Sequence, residues 1–422
     1  MYRKEKLDNG LRIITHNMPQ MQSVAVGIWI AIGGRYEDAA NKGISHYLEH
    51  LLFKGSQKYS CRKIKEAIEG VGGSLNGFTS EEATCYLAKL PQRYLGLGLD
   101  VLSDMVINPL LPQEEVEKER TVIHEELKMY KDQPQSYVYE LLDELLWPNQ
   151  MLGLSIIGTE NSINSITRKS MVDFKSGRYT PANIVVAAAG SLQHDKFVKR
   201  AQKAFSKLEG RPINVFAGAK EGQSRLQLKI LPKETEQTHL AMGFHSFKRE
   251  HPLKYAQGLL HVILGGNMSS RLFEEVREKK GLAYEIGTHV KRFQDTGAFL
   301  VHAGIDNRKV EQTISVILKE LEIAKAGLVG MDEFRRAKEF YLGQLSLALE
   351  DTLDHMLWLG ESMLMQDRTL SLKDLIRQVN KVTRFDLREA ARQIFRQEKI
   401  NLSLIGPLQA REQNIIQELR LN

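Results

Sequence analysis

His46-Tyr47-Leu48-Glu49-His50 is the stretch from which the rest of the chain is read. It sits in a segment, Gly43 to Phe53, whose pattern predicts a helix. On a helix, residues three and four apart stack on one face. His46, Glu49 and His50 then project together, two imidazoles and a carboxylate around one small volume. Two imidazoles at this spacing are a common pair of zinc ligands, and a carboxylate beside them can take a proton from water held by the metal. The plain alternative is a helix that happens to carry two histidines and an acid. Catalytic zinc sites use three protein ligands, so the choice rests on finding a third.

A second predicted helix, Gln113 to Met129, supplies a candidate. It follows Pro112, a normal start signal, and Val116, Ile123, Leu127 and Tyr130 recur at helical spacing. Glu119 and Glu126 are seven apart, nearly eclipsed on the wheel, and both lie beside this apolar stripe. Glu125 points almost the opposite way, to solvent. Acids on a buried face are costly unless paired or bound to a cation. Pairing with a neighbouring Arg or Lys would satisfy them as well. Beside a histidine pair lacking its third ligand, Glu126 is expected to complete the metal set and Glu119 to support it.

These residues carry a family resemblance. The order H-x-x-E-H, with Glu126 placed 76 residues after His50 inside Glu119-Arg120-Thr121-Val122-Ile123-His124-Glu125-Glu126, resembles the pitrilysin/insulinase family of inverted-zincin metallopeptidases. Within it, the bacterial branch similar to the mitochondrial processing peptidase is the nearest in pattern. Leu7-Asp8-Asn9-Gly10-Leu11 resembles the family's first hairpin, and Gly72 to Thr79 its edge strand. The resemblance implies a zinc endopeptidase with one Zn2+ per chain held by His46, His50 and Glu126. Glu49 would be the general base and Glu119 a tuning acid. Asn76 would contact substrate backbone. Arg277 and Tyr284, in Arg277-Glu278-Lys279-Lys280-Gly281-Leu282-Ala283-Tyr284, would complete the substrate site from the second half. Unfolded peptides or presequence-like segments in an enclosed chamber are the implied substrates.

The chain also repeats itself. Ile163-Asn164-Ser165-Ile166-Thr167-Arg168 returns 216 residues later as Val379-Asn380-Lys381-Val382-Thr383-Arg384. Ala25 and Gly27 return at the same offset as Ala241 and Gly243, and Leu110 to Leu127 aligns with Leu328 to Leu345 at 218. The region equivalent to the histidine pair reads Leu259-Leu260-His261-Val262-Ile263, and Gln344 stands opposite Glu126. One half carries metal ligands and the other does not. The expected fold is α+β. It has two tandem homologous domains, each a largely antiparallel sheet with helices packed on one face, forming clamshell halves. The expected boundaries are a metal-binding domain over 1–209, a linker over 210–224, and a second domain over 225–422.

Composition excludes other classes. Apolar content of 42% and charged content of 26% are ordinary for a globular protein. The net charge of +6 comes from basic residues interspersed with 52 acids, with no basic block, so nucleic acid is not an expected partner. No run approaches the roughly 20 apolar residues that span a bilayer. The two cysteines, Cys61 and Cys85, give no disulfide framework. The N-terminus shows no signal core, so the expected location is cytoplasmic unless a leader has been removed. The metal half and the Arg277/Tyr284 half occur in one chain, so the expected assembly is a homodimer. The competing function is a non-catalytic scaffold or partner subunit of the same fold. Loss of Glu49 or of a ligand would mark that role, and this chain keeps all four residues.

Overall fold

A computed structural model of the chain describes residues 2–209, 215–408 and 411–421. They form two compact units. The first draws on Met1–Lys128, Ser155–Ala217 and Ser346–Ser371, and the second on Met129–Leu154, Gly218–Leu345 and Leu372–Asn422.

The first unit is built on six strands: β1 (Tyr2–Lys6), β2 (Arg12–Asn17), β3 (Ser23–Ile30), β4 (Ser74–Thr79), β5 (Thr84–Pro91) and β6 (Ile184–Gly190). Their order is β1-β2-β6-β3-β5-β4, antiparallel except for β2 beside β6. The Leu7–Leu11 turn joins β1 to β2 as the expected hairpin, closed by the Gly10 N–H on the Leu7 carbonyl at 2.8 Å. β6 reads Ile-Val-Val-Ala-Ala-Ala-Gly because it is central and covered on both faces, so no polar alternation survives. One face, with Val24, Val26 and Ile28 of β3, carries the helices Leu95–Ile107 and Ile44–Leu52.

The second unit repeats the plan. β7 (Gln227–Pro232), β8 (Gln237–His245), β9 (Ala283–Arg292), β10 (Gly297–Asp306) and β11 (Asn401–Gly406) run β7-β11-β8-β10-β9, with β7 and β11 the parallel pair. Side-chain contacts repeat as well. Arg120 donates to the carbonyls of Ile163 and Ile166, and its counterpart Lys338 donates to those of Asn380 and Val382. Thr167 and Thr383, 216 apart, each cap a helix through a reciprocal pair with the residue three further on. The duplication read from the sequence is a duplication of structure.

Two features correct the expectation of sheets covered on one face by helices of their own half. The helix Thr352–Gln366 packs on the opposite face of the first sheet, against Ala25, Trp29 and Val185. Trp29 lies so close that a Cβ on Gly360 would meet its Nε1 at 2.0 Å. Reciprocally, Pro134–Leu146 packs its Val138, Leu141 and Leu142 on Ala241, Leu300 and Ile405 of the second sheet. An amphipathic pattern states that a helix has a buried face and not which sheet receives it. Of the expected linker, residues 210–214 lie outside the described residues, and 215–224 form neither helix nor strand. No helix among the described residues is long and apolar enough to cross a membrane.

Candidate metal centre

The histidine helix, Ile44–Leu52, is fixed at three places. Its N-terminal amides are capped from outside by Glu37, which accepts from Gly43 N at 3.0 Å and Ser45 N at 2.8 Å. A carboxylate there is favoured by the helix dipole. Glu37 is itself buried against Lys42, whose Nζ lies 3.2 Å away and donates to the Gly34 carbonyl. On the inner face, Tyr47, Leu48, Leu51 and Leu52 are fully buried. The Tyr47 hydroxyl donates to the carbonyl of Val116 and so ties this helix to the acidic helix Gln113–Asp132.

The acidic helix buries Val116, Ile123 and Leu127 as its spacing predicts, and Glu119 with them. Glu126 is half-buried, whereas Glu125 pairs with Lys128 at the surface. The result brings His46, His50 and Glu126 together. The Nε2 atoms of both histidines lie 3.7 Å from Oε2 of Glu126, and one ligand atom from each residue falls within 4.8 Å of the others. Zinc bonds of about 2.0–2.1 Å in a tetrahedron place ligand atoms about 3.4 Å apart, so this N,N,O set fits the ion with small adjustment. Among the described residues it is the one such cluster.

Neighbouring groups prepare these atoms. His50 Nδ1 lies 3.1 Å from Oε2 of Glu119, and the other Glu119 oxygen is ion-paired with Lys54. Nδ1 thus donates to Glu119 and Nε2 faces Glu126. Burial opposes a charged His50, but the Glu119 hydrogen bond and the charges of Glu49, Glu126 and Glu119 outweigh it and raise the ring above its ordinary value. Burial opposes an ionised Glu119, but the hydrogen bonds from His50 and Lys54 win and hold it below the usual carboxylate range. Burial, with His50 nearby, drives His46 down to about 3, so its ring is neutral. Its Nδ1 is buried without a hydrogen-bond partner, and the ring lies edge-on to that of His50. Burial also raises Glu126 above its ordinary range, with His50 opposing. A buried carboxylate beside imidazoles is stabilised by a divalent cation.

Glu49 stands beside this trio and is buried. Burial raises its carboxyl, partly offset by a hydrogen bond from Thr79, whose Oγ1 donates to Oε2 at 2.9 Å. Its other oxygen looks onto β4, where a Cβ at Gly77 would sit 3.2 Å from Oε1. β4 is the outer strand of its sheet. Asn76 on that strand is exposed and pairs in register with Leu87, whereas Thr79 pairs with Thr84. The alternation of a strand therefore puts the Asn76 side chain on the face away from Glu49. In the second unit, Arg277 lies near the end of a wide helical turn, Phe273–Glu278, and a positive φ at Gly281 returns the chain into β9. This sets the Arg277 guanidinium 5.2 Å from the centre of the Tyr284 ring, which is 73% exposed.

Three residues escaped the sequence reading. Thr79 and Lys54 are single polar residues without a motif, and Glu37 reaches its helix across a loop rather than at helical spacing. Two histidines outside the cluster have other partners: His124 bonds to Asn164 and His261 to Thr288. Cys61 and Cys85 are free thiols.

Comparison with known proteins agrees with this construction. The model of Insulinase (Peptidase family M16) matches residues 12–160, which include His46, Glu49, His50 and Glu126. The model described as Peptidase M16 inactive domain matches residues 165–341. An uncharacterized zinc protease of Streptomyces coelicolor is 37% identical over 97% of this chain and 90% of its own. The uncharacterized zinc protease YmxG of Bacillus subtilis is 36% identical over 96% of this chain and 98% of its own. A protease from Helicobacter pylori shares the fold, with a TM-score of 0.91 at 24% identity, covering 96% of this chain and 100% of that one. The chain belongs to the insulinase family of peptidases, M16.

Proposed function

We propose that this protein is a zinc-dependent endopeptidase that cleaves unfolded peptides or presequence-like segments in an enclosed chamber. The observation that carries the reading is the convergence of His46, His50 and Glu126 on one point, with Glu49 beside them. His46, His50 and Glu126 hold one zinc ion per chain. When bound, the ion supplies Lewis-acid polarisation of a peptide carbonyl and acidifies water. Glu49 takes the proton of the attacking water at Oε1, since Oε2 is held by Thr79, and passes it to the leaving amine. The desolvation that raises Glu49 suits a group that must both accept and return a proton.

Glu119 and Lys54 orient His50. The free edge of β4, with Asn76, holds substrate as an added extended strand. Arg277 and Tyr284 bind substrate or the charge that develops on its carbonyl oxygen. The working form is a homodimer, since one chain carries every residue the reaction calls for and no second gene product is required. The free thiols of Cys61 and Cys85 support a cytoplasmic, reducing location. The non-catalytic alternative lacks support in the first unit, where no ligand is missing. The test is a peptide-library digest by purified protein, read by mass spectrometry with and without chelator. Chelator-sensitive internal cleavage is expected, and intact peptides in both arms would reject the reading.

A further inference from the structure

The end of the first sheet remote from the metal centre carries a feature that peptide hydrolysis does not use. β5 begins at Thr84, the register partner of Thr79, and ends at Pro91, roughly 24 Å away at the rise of a strand. Just past Pro91 lies a cavity of about 450 Å³. Its walls come from the first turn of the helix Leu95–Ile107, the first turns of the helix His194–Phe205, and the end of β2.

The charge of this cavity is one-sided. Arg93, Lys196 and Arg200 line it, and no carboxylate does. Elsewhere in this unit, exposed cations stand beside acids: Arg62 with Glu66, Lys118 with Glu114, Lys169 with Asp173. The three cavity cations make no such pair among the described residues. Asp195 precedes Lys196 in the same helical turn, yet it is drawn off to Arg3 at 2.8 Å and does not reach the cavity wall. Like charges gathered in one concavity repel each other and concentrate a positive potential there. The two helices also present their N-terminal ends, whose amides add potential of the same sign.

The placement of Arg200 depends on one residue. A Cβ on Gly96 would lie 1.5 Å from its Nη1, so the guanidinium rests directly on the first turn of the facing helix. A side chain at position 96 would force the guanidinium to shift from this seat. The cavity thus combines room for a small molecule, three cations without an ion-pair partner among the described residues (Arg93 stacks on the Tyr94 ring), and a glycine against which one of them rests.

We propose that this cavity binds a compact multivalent anion, a small molecule bearing phosphate or carboxylate groups, at a site separate from the metal centre. The guanidinium of Arg200 offers a fork of donors to such an oxyanion, and Lys196 and Arg93 supply the remaining charge. The assignment does not depend on peptidase activity.

The test is isothermal titration of the full chain at low ionic strength, with pyrophosphate and with citrate as probes. Saturable binding of at least one is expected. Binding of pyrophosphate alone identifies the phosphate class, of citrate alone the carboxylate class, and of both a site that reads charge. Arg200→Ala should weaken binding about tenfold, the usual size of one charge-assisted contact. Gly96→Ala should weaken it comparably while preserving every charge, and Arg62→Ala, also a surface arginine, should leave it unchanged. Circular dichroism and zinc content confirm that each variant is folded. The proposal is overturned if neither probe binds saturably, or if affinity survives intact in Arg200→Ala or in Gly96→Ala.

Discussion

The hydroxyl of Thr79 donates to Oε2 of Glu49 at 2.9 Å, so an edge-strand residue fixes the orientation of a carboxylate carried by the histidine helix. The proposed base thereby keeps one oxygen for proton transfer. Glu49→Gln should retain zinc and lose peptide hydrolysis by about 10²-fold or more. Thr79→Val should also retain zinc and lose about tenfold or less, the scale of one hydrogen bond. Steady-state turnover of a fluorogenic peptide, with metal content measured in parallel, checks both. Undiminished turnover in Glu49→Gln would require another base.

A second relationship bears on the proposed metal site. Glu119 joins Lys54 to His50 and is held ionised by both. Glu119→Gln is expected to weaken zinc binding about 10- to 100-fold, as loss of groups behind metal ligands commonly does. Lys54→Met should act in the same direction, because it removes the cation that keeps Glu119 charged. Competition against a chromophoric chelator measures these shifts. Wild-type affinity in Glu119→Gln would leave that residue without a role at the metal.

Arg277 and Tyr284 provide a prediction for the second unit. Arg277→Ala and Tyr284→Phe should depress turnover and leave zinc content unchanged, since neither residue belongs to the ligand cluster. Mixing Glu49→Gln protein with Arg277→Ala protein then asks whether chains share sites, and recovered activity would mean that they do. Light scattering tests the homodimer itself. Full activity from a species that remains monomeric would reject it.

Stability should fall on acidification through a defined window. Burial holds His16 and His261 down at about 4, against an ordinary value of 6.5. His16 also faces His355, with ring centres 4.3 Å apart. A base with a depressed folded-state pKa binds fewer protons than in the unfolded chain. Its neutral form therefore contributes stability that is complete above about 6.5 and is lost as pH falls toward 4. Each group adds a slope of at most about 1.4 kcal/mol per pH unit in that window. Denaturant melts between pH 7 and 4 should show the decline, and His16→Phe should make it shallower. An unchanged slope in that variant would assign the acid sensitivity to other groups.

The sequence states the metal centre more completely than the architecture. H-x-x-E-H and the seven-residue interval from Glu119 to Glu126 are periodic facts, and helical periodicity survives into three dimensions with little change. Thr79 could not be found this way, because its contact with Glu49 spans 30 residues and follows from strand placement. Glu37 and Lys42 were hidden for a similar reason, since a charged pair this buried looks like ordinary surface polarity in sequence. The repeat disclosed the shared strand order but not the exchange of Pro134–Leu146 and Thr352–Gln366. Each of those helices satisfies its apolar face on the sheet of the other half of the sequence, and pattern alone cannot name the partner.

Metal content of purified wild-type and His50→Ala protein, by inductively coupled plasma mass spectrometry, tests the central claim most directly. About one zinc per chain is expected in the wild type, because among the described residues only the first unit gathers three such groups. His50→Ala should bring this close to none, since His46 and Glu126 alone hold the ion weakly. Full zinc occupancy in His50→Ala would contradict the assignment of the metal to this cluster.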